Sequence, residues 1–243
     1  MKKDCLYIVI PAYNESENIR QVIDDWYPVI KEYGNTASRL MIIDDGSKDD
    51  TYKILEGCAK SKKQLLPIKK KNSGHGATVL YGYKQALKNS PDFIFQTDSD
   101  GQTLPSEFEQ FWKLRNEYDM VIGHRRGRKD GFSRIIVTKT LRFVVWLKFH
   151  VHVVDANTPF RLMSSKSLSE NIRYIPKGFN LSNVILSVLY TKRGQRVKYI
   201  PITFRPRQGG VNSINLKKIF GIGKNALVDF GKINKSLKKL DNE

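Results

Sequence analysis

A chain of 243 residues with 40% hydrophobic and 11% aromatic residues is long enough to enclose a full core and too apolar to stay disordered. Its 42 Lys and Arg against 24 Asp and Glu leave a formal charge of +18, which points to anionic partners such as phosphorylated substrates, acidic headgroups or nucleic acid; solubility alone is the bland alternative. Cys5 and Cys58 lie far apart without metal-like spacing, no signal peptide follows the basic start, and no apolar run reaches the ~20 residues of a membrane span, so the expected location is cytoplasmic, free or peripheral on the cytosolic face of a membrane.

In chain order, Leu6 to Ile10 is a continuous apolar run of the kind found in a buried parallel strand, stopped by Pro11. A helix is predicted from about Ser16, with Ile19, Val22, Ile23 and Trp26 at helical spacing. Leu40 to Ile43 reads as a second strand, Thr51 to Ala59 as a helix, Leu65 to Ile68 as a third strand, Ala77 to Leu87 as a helix and Asp92 to Gln96 as a fourth strand. This alternation predicts an α/β fold: a mostly parallel sheet with helices on both faces, binding its ligand beyond the carboxyl ends of the strands. Beyond it, Glu107 to Glu117 reads as a helix, Met120 to Ile122 as a short strand, His124 to Gly131 as a basic loop and Ile135 to Phe149 as a helix with a wide apolar face. Near the C-terminus Leu216, Ile219, Phe220, Leu227, Phe230, Ile233 and Leu237 recur at helical spacing among lysines, the pattern of a basic amphipathic helix. Both apolar helices suit either an anionic membrane surface or the protein's own core.

The strand ends carry the chemistry. Asp98-Ser99-Asp100 follows the fourth strand, and if the chain stays extended both carboxylates share one face, exposed by the turn at Gly101. Two hard oxygen ligands there suit a Mg²⁺ or Mn²⁺ that keeps coordination sites for substrate phosphates, although Asp-x-Asp is equally a common turn composition. Context decides between them. Pro11-Ala12-Tyr13-Asn14-Glu15 follows the first strand, Asp44-Asp45-Gly46-Ser47 the second, and Asn72-Ser73-Gly74-His75-Gly76 precedes a helix. Each motif alone is weak, and the four in order at compatible strand ends are strong.

Together these motifs resemble the nucleotide-diphosphosugar-binding half of family 2 inverting glycosyltransferases of the GT-A fold, in the branch of dolichol-phosphate mannosyltransferase and bacterial polyprenyl-phosphate glycosyltransferases. The resemblance covers roughly residues 5 to 215 and loses specificity after about residue 123. It implies a glycosyltransferase domain over 1–215, with the nucleotide-sugar half at 1–123 and the acceptor half at 124–215, followed by the amphipathic segment 216–243. Asp100 is then the direct metal ligand, Asp98 a ligand through water or a ribose contact, and Gln102 an additional metal-site residue or a satisfied turn amide. Pro11, Ala12, Tyr13 and Glu15 would meet base or ribose, Asp45 the base, and Asp98 and Ser99 the nucleotide sugar. Gly74 and Gly76 would let the backbone approach the ligand, with His75 touching the nucleotide or capping the turn.

For the acceptor the resemblance implies a polyprenyl phosphate, and the alternative is a sugar hydroxyl of a growing glycan or lipid-linked oligosaccharide. A hydroxyl needs a general base, whereas a largely dianionic phosphate needs cationic guides. Arg126 and Arg134 flank the loop where that branch binds its acceptor phosphate, and Arg207 stands in a loop resembling the family's Arg-x-x-Gly-x-Ser, one residue longer here before Ser213. Asp155 is a base, an acceptor-positioning group, or the partner of Arg161 in a structural ion pair. A nucleic-acid partner is disfavoured, because the carboxylate-rich strand ends would repel a phosphate backbone and no binding motif is recognisable. A non-catalytic sugar-nucleotide binder is the remaining alternative.

Overall fold

The computed structural model describes residues 3–125, 132–205, 229–235 and 237, with the side chains of 132–140 set aside. Its first half alternates strands and helices: β1 (Leu6–Ala12), α1 (Ile19–Tyr33), β2 (Arg39–Asp44), α2 (Thr51–Ala59), β3 (Leu65–Lys69), α3 (His75–Leu87) and β4 (Phe93–Gln96). A 3₁₀ turn at Pro105–Glu107 and α4 (Phe108–Lys113) lead into β5 (Met120–Arg125), α5 (Phe132–Phe149), β6 (Arg161–Ser164), α6 (Ser165–Ile172), α7 (Ser182–Lys192) and β7 (Val197–Ile202).

The seven strands form one sheet in the order β3-β2-β1-β4-β6-β5-β7. Every neighbouring pair is parallel except those made by β6, which runs antiparallel between β4 and β5, with Phe95 opposite Leu162 and Val121 opposite Leu162. The carboxyl ends of β1, β2, β3, β4, β5 and β7 therefore share one edge with the amino end of β6, and the loops at that edge hold the motifs that follow β1, β2, β3 and β4.

β1 continues through Pro11 to Ala12, two residues beyond the expected stop. Its register explains the tolerance. Val9 accepts from Thr97 N on the β4 side, and Pro11 has the same parity, so the donor it lacks would face that side beyond Gln96, where β4 has ended. The helix predicted over Glu107 to Glu117 is shorter, because its first turn is 3₁₀ and the chain turns again at Leu114.

Alternate residues of the central strands feed two cores. Val9, Met41, Ile43 and Ile94 pack with residues of α3, α5, α6 and α7, whereas Ile8, Ile10, Leu40, Ile42 and Phe95 pack with α1 and α4. The second core centres on aromatic rings: Phe95 lies 5.3 Å from Trp26, 5.0 Å from Phe108 and 4.7 Å from Phe160. In the C-terminal segment Phe230, Ile233 and Leu237 are buried in the first core, and the Phe230 ring meets Phe149 at 5.5 Å and Phe179 at 5.8 Å. The apolar stripe of that segment, where described, faces the protein and not lipid. Among the described residues no helix is long and apolar enough to cross a membrane.

Candidate active site

The loops after β1 and β2 are laced into one unit. Asp45 N donates to the Ala12 carbonyl at 2.8 Å, Asn14 N to Ser47 Oγ at 2.9 Å, Lys48 N to Asn14 Oδ1 at 2.8 Å, Glu15 N to Thr51 Oγ1 at 2.9 Å and Ser16 N to Asp49 Oδ2 at 3.1 Å. Asn14 supports this crossing with a left-handed φ of 54°, a conformation that Asn adopts more readily than most residues. Burial works against the Asp49 charge, but hydrogen bonds from Thr51 and Ser16 outweigh it and hold the carboxyl below its ordinary range. Glu15 is buried and accepts from Asn18 Nδ2 at 2.7 Å, whereas the neighbouring Tyr13 ring is 40% exposed at the mouth of the loops.

The two adjacent carboxylates after β2 do different work. Asp44 is fully buried and accepts from Ser47 N, so it organises its own loop. Asp45 reaches across to the next loop: Oδ1 accepts from Lys70 Nζ and from Ser73 N at 2.9 Å, and Oδ2 accepts from Gly74 N at 2.9 Å. Lys70 also donates to Ser73 Oγ at 2.6 Å and Thr78 Oγ1 at 3.2 Å, tying the end of β3 to the first turns of α3. Sequence reasoning missed Lys70. It sits in a basic run from Lys60 to Lys71, and the signal that would have separated it is its place one residue beyond β3, at the ligand edge.

The glycines of this loop divide as well. Gly74 has a φ of 88°, which favours glycine outright. Gly76 was expected to let a ligand approach; instead a Cβ there would lie 2.0 Å from the carbonyl oxygen of Asn180, so its bareness accommodates the backbone of the chain entering α7.

Past β4 the chain closes a short loop, with Thr97 Oγ1 and Thr103 Oγ1 2.7 Å apart and Gly101 at a φ of 69°. Asp98 Oδ1 meets His75 Nε2 at 2.9 Å, Ser99 is buried, and Asp100 Oδ1 accepts from Gln102 N at 3.2 Å. Desolvation disfavours the imidazolium of His75, but the adjacent Asp98, with Asp100 and Asp45 farther off, raises its pKa overall. His75, at the start of α3, thus touches the carboxylate loop directly. Gln102 spends its side-chain nitrogen on the Arg205 carbonyl at 2.8 Å. Among the described residues no three His, Cys, Asp or Glu side chains gather as a ready-made metal site. The hard oxygens of Asp98 and Asp100 fit a Mg²⁺ or Mn²⁺ that shares its coordination with water and substrate phosphates; they do not fit a closed structural centre.

At the end of β5 Arg125 grips Asp155 through one guanidinium edge, Nε to Oδ2 at 3.0 Å and Nη2 to Oδ1 at 2.9 Å, while its guanidinium carbon lies 5.1 Å from the Phe204 centroid. Burial opposes the Asp155 charge, yet Arg125 outweighs it and lowers the pKa. Arg161, the alternative partner in the sequence reading, does not fill that role. It is fully buried and donates to the carbonyls of Ala156 at 3.2 Å, Thr158 at 2.6 Å and Asn183 at 3.0 Å. Arg126, Arg207 and Ser213 lie outside the described residues, as does the side chain of Arg134.

A mostly parallel sheet with helices on both faces, interlaced polar loops after its first strands and a carboxylate pair after the fourth defines the class of GT-A glycosyltransferases. Residues 7–235 match the model of glycosyl transferase family 2, and the chain belongs to that family of enzymes. It is 28% identical over 196 residues to UDP-N-acetylglucosamine–dolichyl-phosphate N-acetylglucosaminyltransferase of Methanococcus voltae, spanning 71% of this chain and 76% of that protein. It is 29% identical over 141 residues to undecaprenyl-phosphate 4-deoxy-4-formamido-L-arabinose transferase of Proteus mirabilis, covering 57% of this chain and 42% of that one. Glucosyl-3-phosphoglycerate synthase from Mycobacterium tuberculosis, solved with Mn²⁺, UDP-glucose and phosphoglyceric acid, superposes with a TM-score of 0.67 over 96% of this chain and 80% of its own, at 16% identity, and so shares the fold.

Proposed function

We propose that this glycosyltransferase moves a sugar, with inversion, from a nucleotide diphosphate donor to a polyprenyl phosphate at the cytosolic face of a membrane. In this reading the exposed Tyr13 ring stacks against the base, Asp45 with Lys70 reads its edge, and Asp98, Asp100 and Gln102 hold a Mg²⁺ or Mn²⁺. The ion, when bound, neutralises charge that builds on the diphosphate as the glycosidic bond breaks. Arg126, Arg134 and Arg207 guide the acceptor phosphate.

The observation that carries the choice of acceptor is the bidentate pair of Arg125 and Asp155. A carboxylate held below its ordinary pKa by a guanidinium is a poor proton acceptor, so Asp155 is ill suited to activate a sugar hydroxyl. A phosphate dianion attacks the anomeric carbon without such help, and cationic groups beside it guide it there. Two similar enzymes, one named for dolichyl phosphate and one for undecaprenyl phosphate, support the same choice.

The test incubates the purified chain with Mn²⁺, a panel of labelled sugar nucleotides, and either polyprenyl phosphate or saccharide acceptors. Transfer to the lipid phosphate, abolished by chelation, is expected. Transfer that needs a saccharide hydroxyl would overturn the acceptor assignment.

A further inference from the structure

Five large hydrophobic side chains are conspicuously exposed among the described residues, and four of them adjoin α5: Phe143 at 60%, Trp146 at 42%, Leu147 at 51% and Val154 at 50%. Phe143, Trp146 and Leu147 lie three and four residues apart and so share one helical face, with the Phe143 and Trp146 rings 6.1 Å apart. The opposite face is spoken for, because Val145 and Phe149 are buried in the core. Arg142 crosses from the helix to the Val154 carbonyl and joins that residue to the patch. From Gly131 to Val154 the sequence contains Arg134, Lys139, Arg142 and Lys148 and not one Asp or Glu.

An exposed aromatic and aliphatic face set in an acid-free, cationic segment matches the interface of an anionic bilayer, where Trp and Phe rings seat among headgroups and each cation near the surface adds attraction. We infer that this face of α5, together with Val154, docks onto anionic lipid. The C-terminal segment is the weaker candidate for that contact, since Phe230, Ile233 and Leu237 are already committed to the core. The placement has a chemical consequence. Val154 is adjacent to Asp155, so docking brings the Arg125–Asp155 corner of the site to the headgroup layer, where a lipid-borne phosphate would present itself.

The full chain is mixed with phosphatidylcholine vesicles with and without phosphatidylglycerol, and binding is followed by sedimentation and by tryptophan emission. Trp26 and Trp112 are only 2% and 8% exposed, so a blue shift on binding reports Trp146. Salt-sensitive binding to the anionic vesicles is expected, weakened by roughly tenfold or more in the Phe143→Ser/Leu147→Ser variant. Melting temperature and sugar-nucleotide-induced stabilisation confirm that the variant is folded. No binding to either vesicle, equal binding by variant and wild type, or a dimer that the variant breaks without any vesicle effect would overturn the inference. Vesicle binding is measured without donor or acceptor, so its failure is distinguishable from failure of the glycosyl-transfer reading on which the choice of lipid rests.

Discussion

Gln102 and Arg205 hold each other twice: Arg205 N donates to the Gln102 carbonyl at 2.8 Å, and Gln102 Nε2 donates back to the Arg205 carbonyl at 2.8 Å. The loop bearing Asp98 and Asp100 is thereby fastened to the chain leaving β7. Gln102→Ala removes the second bond and should cost about 1 kcal/mol of stability. In transfer assays it should raise the Mn²⁺ concentration for half-maximal activity several-fold, read from a metal titration; an unchanged titration would separate Gln102 from the metal loop.

Asp100→Asn and Asp98→Asn keep the size of each side chain and remove the charge that a divalent ion needs. Each variant should melt near the wild type, lose the extra stabilisation that a sugar nucleotide gives with Mn²⁺, and transfer at least ~100-fold more slowly, the larger loss at Asp100. Differential scanning fluorimetry with and without Mn²⁺ checks the first two outcomes.

Arg125→Ala strands the Asp155 carboxylate in a largely buried position, so it should destabilise by about 2 kcal/mol, more than the Arg125→Ala/Asp155→Ala double variant. Urea unfolding of the two singles and the double closes the cycle. Additive losses would mean that the pair contributes no coupling.

The acid limb of stability follows from the same pair. The folded carboxyl of Asp155 titrates below its ordinary value of 3.8, so its contribution is complete above that value and drains away as pH falls through the folded pKa. Asp49 has the same sign. Below about pH 4 the wild type should therefore lose melting temperature more steeply than Asp155→Asn, which lacks one of the two groups.

Gly76→Ala sets a methyl group 2.0 Å from the Asn180 carbonyl oxygen and should cost ~1–3 kcal/mol as the backbone shifts. A thermal melt checks it. Gly57, where a Cβ would meet nothing within 4 Å, supplies the control: Gly57→Ala lies inside α2 and should stabilise slightly.

Much of the first half was legible because continuous apolar runs such as Leu6–Ile10 and Leu40–Ile43 carry their strand identity locally, and the polar loops that stop them mark the ligand edge. β6 was not legible. Four residues beginning with a buried Arg161 carry no period, and their antiparallel place between β4 and β5 depends on register with segments far away in sequence. The carboxylates at the site were visible as types in the right order, whereas their partners were not. Nothing in a run of lysines says that Lys70 alone turns inward to Asp45, and nothing in a cluster of arginines says that Arg125, not Arg161, is the one to grip Asp155.

The close passage of the Asn180 backbone over Gly76 bears on how such an enzyme can be re-engineered. A chimera joined near residue 123, pairing residues 1–123 of this chain with the later residues of another enzyme, inherits a socket at Gly76 shaped for one backbone path. The graft must bring a segment that follows that path past α3, or the helix loses its cover beside the site. The segments bearing Gly76 and Asn180 are exchangeable only as a matched pair.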